Sequence, residues 1–267
     1  PNDGVLCKGD TATLDAGSGL ISYAWSNGDT LSNITAINSG KYVVTITDSN
    51  NCVGTLSKSI LFADPHVSSG LDDRTLGVGD TLEFNIETSG CSGGPNANLE
   101  IGMGTQGTQH QCFYNFYESG RTQILYLQSE LLSPSILTEL SMNFVQVTQD
   151  PTKREFKKFK LKLMHVPDSN FTSNTFIDVS SADVVFNQAL FNMPSDTGWY
   201  TWDINDFYYN GSDNLLLEIS WGDNGYYCSS NDIYKVAQHS TSDYKVCYAN
   251  DDNTDGEFIT SEDGRKD

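Results

Sequence analysis

The chain is short of positive charge. Fifteen lysines and arginines stand against 35 aspartates and glutamates, for a formal net charge of −20. A surface of that sign repels nucleic-acid phosphates and anionic lipid, so neither nucleic acid nor membrane insertion is expected. There is no apolar run of membrane-spanning length. With no initiator methionine and no signal peptide, both ends read as excision points, and any export signal or anchor is expected outside this stretch. No segment keeps a 3.6-residue period through three turns, which argues against helical architecture. Signatures of catalysis are missing as well. The four histidines, His66, His110, His165 and His239, show no HExxH or paired spacing. Ala16-Gly17-Ser18-Gly19 lacks the flanks of a nucleophile elbow and sits in a turn. No phosphate loop or dinucleotide fingerprint is present, and the carboxylates are too numerous for one acid–base pair to stand out. The expectation is a protein that is not an enzyme.

None of the six cysteines has a metal-type spacing. Their even number fits an oxidising compartment and three structural disulfides. Proximity in sequence favours Cys7 with Cys52, Cys91 with Cys112 and Cys228 with Cys247, although six cysteines allow about 15 connectivities.

What the chain does have is β patterning. Tyr42, Val44 and Ile46 alternate with Val43, Thr45 and Thr47, the period of a half-buried strand. Asn27-Gly28-Asp29 and Asp48-Ser49-Asn50-Asn51 are turn signals. Strands separated by such turns at about ten-residue spacing suggest a sandwich. Trp25 is the expected core plug. A core of that size is marginal, so a staple is expected, and Cys7 and Cys52 flank the module.

Cys7-Lys8-Gly9-Asp10, Tyr23-Ala24-Trp25-Ser26-Asn27-Gly28, Gly40-Lys41-Tyr42-Val43-Val44-Thr45-Ile46-Thr47-Asp48 and Asn51-Cys52 together carry a resemblance over residues 1–62. They resemble the immunoglobulin-like repeat of giant secreted proteins of the Bacteroidota, including gliding-motility adhesins and other type IX secretion cargo. The resemblance implies an extracellular, cell-surface spacer or adhesive repeat. It also implies O-glycosylation at Asp-Thr followed by a small or apolar residue, which fits Thr11, Thr30 and Thr81.

Residues 63–98 read as a linker with a hairpin over 75–87, turning at Gly77-Val78-Gly79-Asp80. Residues 99–267 read as β again, with strands expected over 123–127, 137–147, 156–165, 176–186, 198–204, 214–221 and 244–248, and a short helical turn over 129–132. That number of strands suggests a jelly-roll-like β-sandwich. Gly104-Thr105-Gln106-Gly107-Thr108, Arg121-Thr122-Gln123-Ile124-Leu125-Tyr126, Ser129-Glu130-Leu131, Thr197-Gly198-Trp199 and Asp213-Asn214-Leu215-Leu216-Leu217-Glu218-Ile219 are similar to an accessory β-sandwich module of type IX-secreted proteins, and Gly264-Arg265-Lys266 only partly echoes that module's closing strand. The charge is uneven: residues 1–62 carry −2 and residues 63–267 carry −18. Lys158, Lys160 and Lys162 alternate with Phe159, Leu161 and Leu163. That reads as a strand with its lysines on the wet face, discouraging edge pairing.

Two patterns point to ligands. Asp251-Asp252-Asn253-Thr254-Asp255-Gly256 followed by Glu262 matches the loop D-x-[DN]-x-[DN]-G-x5-E. Asp251, Asn253, Asp255, the Glu257 carbonyl and Glu262 would surround a structural calcium ion with hard oxygens. The bland reading is a solvated acidic turn, since the flanks read as strand and tail. Aromatics crowd the last third. In Trp199-Tyr200-Thr201-Trp202-Asp203-Ile204 the alternation puts Tyr200, Trp202 and Ile204 on a core-like face and turns Trp199 the other way, where a ring could stack on a sugar. The chain thus reads as all-β, an immunoglobulin-like sandwich (1–62) and a larger jelly-roll-like sandwich (99–267). Its expected role is non-catalytic: extracellular adhesion, spacing, or fibre or filament assembly with like modules. The alternative is a carbohydrate-binding or accessory region of a larger secreted hydrolase.

Overall fold

The computed structural model describes residues 5–63, 67–69, 86–88, 101, 113, 117–131, 134–172, 175–222, 234–236, 245–252, 254–259 and 264–266. The fold is all-β, and the chain divides into two compact units, Pro1–Asn98 and Leu99–Asp267.

The first unit is built from β1 (Val5–Cys7), β2 (Ala12–Asp15), β3 (Ser22–Trp25), β4 (Asn33–Ala36), β5 (Gly40–Thr47) and β6 (Val53–Ala63), with a small pair β7 (Val67–Ser69) and β8 (Ile86–Thr88). One sheet has the order β1-β6-β5-β3, and β2 pairs with β4. Of the hairpin expected over 75–87, residues 86 and 87 belong to β8, and the rest lies outside the described residues. The expected turns form and are tied by their own side chains. Asn27 accepts the Asp29 N–H at 3.1 Å, and Gly28 takes the left-handed conformation that the turn needs (φ +92°). Asp48 Oδ1 accepts the N–H groups of Asn50 and Cys52, each at 2.8 Å. Trp25 plugs the core as expected, packed with Ile34 and Val44, and its indole N–H donates to the Leu31 carbonyl at 2.8 Å.

The second unit contains β9 (Ser119–Tyr126), α1 (Gln128–Leu131), β10 (Ser135–Gln146), β11 (Glu155–Val166), β12 (Asp183–Asn192), β13 (Gly198–Tyr209), β14 (Asn214–Trp221), β15 (Lys235–Val236), β16 (Val246–Asp251) and β17 (Gly264–Lys266). A six-stranded sheet, β12-β11-β14-β9-β16-β17, faces a three-stranded one, β13-β10-β15. Between them lies an aromatic core of Phe113, Phe144, Phe156, Phe159, Trp202, Trp221 and Tyr234 with their aliphatic neighbours. Phe159 stacks on Phe191 with ring centres 4.8 Å apart. β14 is buried on both faces from Leu215 to Trp221. Leu215, Leu217, Ile219 and Trp221 enter the main core. Leu216, on the other face, joins Leu125, Val166, Phe171, Val179 and Cys247 in a second, smaller core. The sheet's outer face is therefore covered, which is why β14 reads as a near-continuous apolar run.

Two expectations are corrected here. Residues 176–182 are irregular and form part of that cover, while the strand begins at Asp183 and runs to Asn192. The lysine strand is not an edge, because β11 pairs with both β12 and β14. Phe159, Leu161 and Leu163 are buried as expected, but the Lys160 and Lys162 side chains are only 23% and 13% exposed. Lys160 is paired with Glu257 from the loop after β16, and Lys162 with Glu218 of the neighbouring strand β14.

Candidate functional site

The outer face of the six-stranded sheet gathers most of the unit's buried polar chemistry. Strand register sets Lys162, Glu218 and Gln123 in one row, and Lys160, Ser220 and Arg121 in the next. Glu218 is sealed from solvent. Its Oε2 accepts from Arg121 Nε at 2.8 Å and from Gln123 Nε2 at 2.8 Å, with Arg121 Nη2 at 2.7 Å. Lys162 Nζ lies 3.2 Å from Oε1 without completing a hydrogen bond. The network also grips the covering chain. Arg121 Nη1 donates to the Ile259 carbonyl at 2.6 Å, and its guanidinium lies 4.4 Å from the centre of the Phe176 ring. The Gln123 amide exchanges two 2.8 Å hydrogen bonds with the Ile177 backbone. A buried carboxylate flanked by two cations in this way, with Oε2 fully bonded, is a lock between sheet and cover. Glu218 was hidden in sequence inside a run of leucines. A lone acid in a doubly buried strand is the signal that could have found it.

The acidic loop is drawn onto this same face. Asp255 receives Lys158 Nζ on both oxygens, at 2.9 and 2.7 Å, and Glu257 receives Lys160 Nζ at 2.5 Å. Asp251 Oδ1 accepts the Thr254 N–H at 2.9 Å, and Asp252 Oδ1 accepts the Glu118 N–H at 3.1 Å. Gly256 seats the loop: a Cβ there would lie 2.1 Å from the Trp221 carbonyl oxygen and 2.3 Å from that of Gly120. Asn253 and Glu262 lie outside the described residues. Among the described residues no three His, Cys, Asp or Glu side chains gather as a metal set. Of the five expected ligand residues, Asp255 holds Lys158 with its carboxylate, and Glu257, expected to use its backbone carbonyl, holds Lys160 with its side chain.

The expected cysteine pairs Cys7 with Cys52 and Cys228 with Cys247 do not form. Cys7 is disulfide-bonded, but not to Cys52, which is an exposed free thiol. The register explains this. Cys7 lies opposite Ala63 at the far end of β6, whereas Cys52 directly precedes its first residue. Eleven extended residues between them span about 35 Å, against the roughly 7 Å that a disulfide bridges between Cα atoms. Cys247 is a thiol sealed inside the smaller core. Cys91, Cys112 and Cys228 lie outside the described residues, as does Thr81. Thr11 and Thr30 are exposed.

Comparison with known proteins is empty. No family model, no curated protein and no solved structure matches the chain.

The aromatic segment behaves as its alternation predicts. Trp202 and Ile204 are buried, Tyr200 packs against the core, and Trp199 stands 57% exposed on the outer face of the three-stranded sheet. Around it that face is polar. Trp199 lies opposite Asn143, Thr201 opposite Ser141 and Asp203 opposite Glu139. At the rim, Asp203 and Asn205 also line a cleft of about 240 Å³ shared with Asn187 and Gln188 of β12. Away from it, His165 is half-buried against Phe207 and Tyr209. Its Nε2 accepts the Asn210 N–H at 3.1 Å, and burial pushes its pKa below the ordinary value.

Proposed function

We propose that this chain is a non-catalytic extracellular module of a surface-displayed protein, serving adhesion, spacing or fibre assembly. The observation that carries this reading is the tandem of two all-β units, each closed around its own apolar core. Units with separate cores can be strung as beads, and their surfaces are then free for contact. The resemblance of residues 1–62 to type IX-secreted repeats supports the same assignment, as does the strong negative charge, which keeps an exported protein dispersed. Self-association has a candidate surface. Among the described residues β1 covers β6 only over Leu61, Phe62 and Ala63, and the stretch of β6 from Val53 to Ser57 has no strand partner on that side, with Val53 and Leu56 exposed. O-glycosylation at Thr11 and Thr30 fits their exposure. Calcium in the acidic loop would act as a structural ion and would have to displace Lys158 from Asp255. A rise in melting temperature on adding millimolar calcium, lost in Asp251→Ala, is its test.

The alternative, a carbohydrate-binding or accessory region of a secreted hydrolase, is favoured by one observation, the exposed Trp199 on a polar sheet face. The deciding experiment coats beads with the whole chain and measures attachment to cell surfaces and to each other, alongside hydrolysis of polysaccharide and peptide substrates. Saturable attachment without turnover is expected. Turnover, or beads that attach to nothing and stay apart, would sink the adhesive reading.

A further inference from the structure

We propose that the outer face of the ribbon formed by β10 and β13 binds a neutral oligosaccharide, with Trp199 as its stacking plate. The inference rests on the adhesive reading and names its ligand class. Trp25, Trp202 and Trp221 are 8%, 3% and 1% exposed, whereas Trp199 presents more than half its surface to solvent. An indole is large, rigid and apolar over its faces, so leaving it in water forgoes burial that the other three obtain. A pyranose with its C–H bonds gathered on one side supplies the matching flat apolar partner.

The rest of the face suits the hydroxyls of the same ligand. Beyond Trp199 and Asn143 come the Ser141 and Thr201 hydroxyls, bonded to each other at 2.7 Å, and then the carboxylates of Glu139 and Asp203. Planar amide and carboxylate groups can each take two neighbouring sugar hydroxyls, and the paired hydroxyls keep spare lone pairs for others. From Trp199 to Asp203 the strand advances about 14 Å, the length of a short oligosaccharide rather than one ring. Asp203 and Asn205 then carry the face into the amide-lined cleft beside β12, which offers the chain's end a concave seat. Charge narrows the class. The two strands hold Glu139, Asp203 and Asp206 and neither a lysine nor an arginine, against one lysine, Lys235, in the sheet's third strand, so the face is net acidic and disfavours uronates and sulfated or phosphorylated sugars. Both strands are fixed by sheet hydrogen bonds, so the face is preformed and binding orders little.

The test titrates the full chain with neutral oligosaccharides (cellopentaose, laminaripentaose, N-acetylated chitotriose) and with acidic ones (oligogalacturonate, heparin fragments), following the heat of binding by calorimetry. At least one neutral sugar should give saturable binding. Trp199→Ala should weaken it by about ten-fold, and Trp199→Phe should lose less. Because Trp199 is exposed, both variants should melt like the parent protein. The inference is overturned if no neutral sugar saturates, if Trp199→Ala binds as the parent does, or if the acidic sugars bind better. Beads that attach equally well with Trp199→Ala would leave the adhesive reading standing and remove this one. Trp199-dependent sugar binding by beads that attach to no cell would do the reverse.

Discussion

The two units reach a similar kind of fold by unequal means. The first closes around a cluster of three buried side chains, Trp25, Ile34 and Val44, and depends on turns tied by Asn27, Asp29 and Asp48. The second has an interior of stacked aromatics and a second small core on the far side of its main sheet. Only the second has apolar contact enough to carry a sealed carboxylate with two cations beside it. The contrast shows where each unit is vulnerable: the first in its one large side chain, the second in its charge balance.

The sharpest way to break the contrast is Trp25→Ala. Removing a buried tryptophan costs about 3–5 kcal/mol, a large share of the whole stability of a unit running from Pro1 to Asn98, about 5–15 kcal/mol by length. Calorimetry should show the first unit's transition lost and the second's unchanged. Loss of both would mean that the units do not fold separately. Next comes Glu218→Ala, which leaves Arg121 and Lys162 under cover without the carboxylate they share and should cost the second unit about 3–5 kcal/mol in denaturant unfolding. A loss below about 1 kcal/mol would show that water reaches the network.

A smaller effect is expected from pH. Burial holds His165 below its ordinary value of 6.5, although Asp213 and Asp183 pull it up. The unfolded chain then binds the proton more readily than the folded one. Stability should be complete above the unfolded value and fall as pH drops from it toward the depressed folded value, by no more than about 1.4 kcal/mol per pH unit. Melting of the second unit between pH 7.5 and 5.5 should show this, and His165→Gln should flatten it. The smallest effect belongs to the exposed end of the charged row. Lys158 is half exposed and its ion pair with Asp255 is partly open to solvent, so Lys158→Ala should change stability by about 0–1 kcal/mol. Together with Glu218→Ala it measures how much burial magnifies one kind of contact.

Legibility followed the range of the interactions. The run of residues 214–221 reads as a strand and is one, because its apolar character and its flanking turn are local. The burial of Trp202 with Trp199 exposed also follows from alternation alone. The wet lysine face could not be corrected from sequence, since Asp255 and Glu257 reach Lys158 and Lys160 from 97 residues away. Phe176 and Ile177 carry strand-like residue types, yet they serve as a lid on a polar row whose position depends on three-strand register. The Cys7 and Cys52 pairing failed for a similar reason. Nearness to the two ends of a module says nothing about which end of the last strand each one meets.

The parallel match of β1 to the end of β6 has a mechanical consequence. Val5, at the start of β1, lies beside Leu61, and Cys7, at its end, lies beside Ala63, where β6 stops. Once the Cys7 disulfide is reduced, tension along the chain pulls these two strands in opposite directions along their own length. The hydrogen bonds between them are then loaded together in shear, rather than opened one after another like a zip. A module wired in this way yields abruptly at a threshold force, which suits a link that is pulled from both ends.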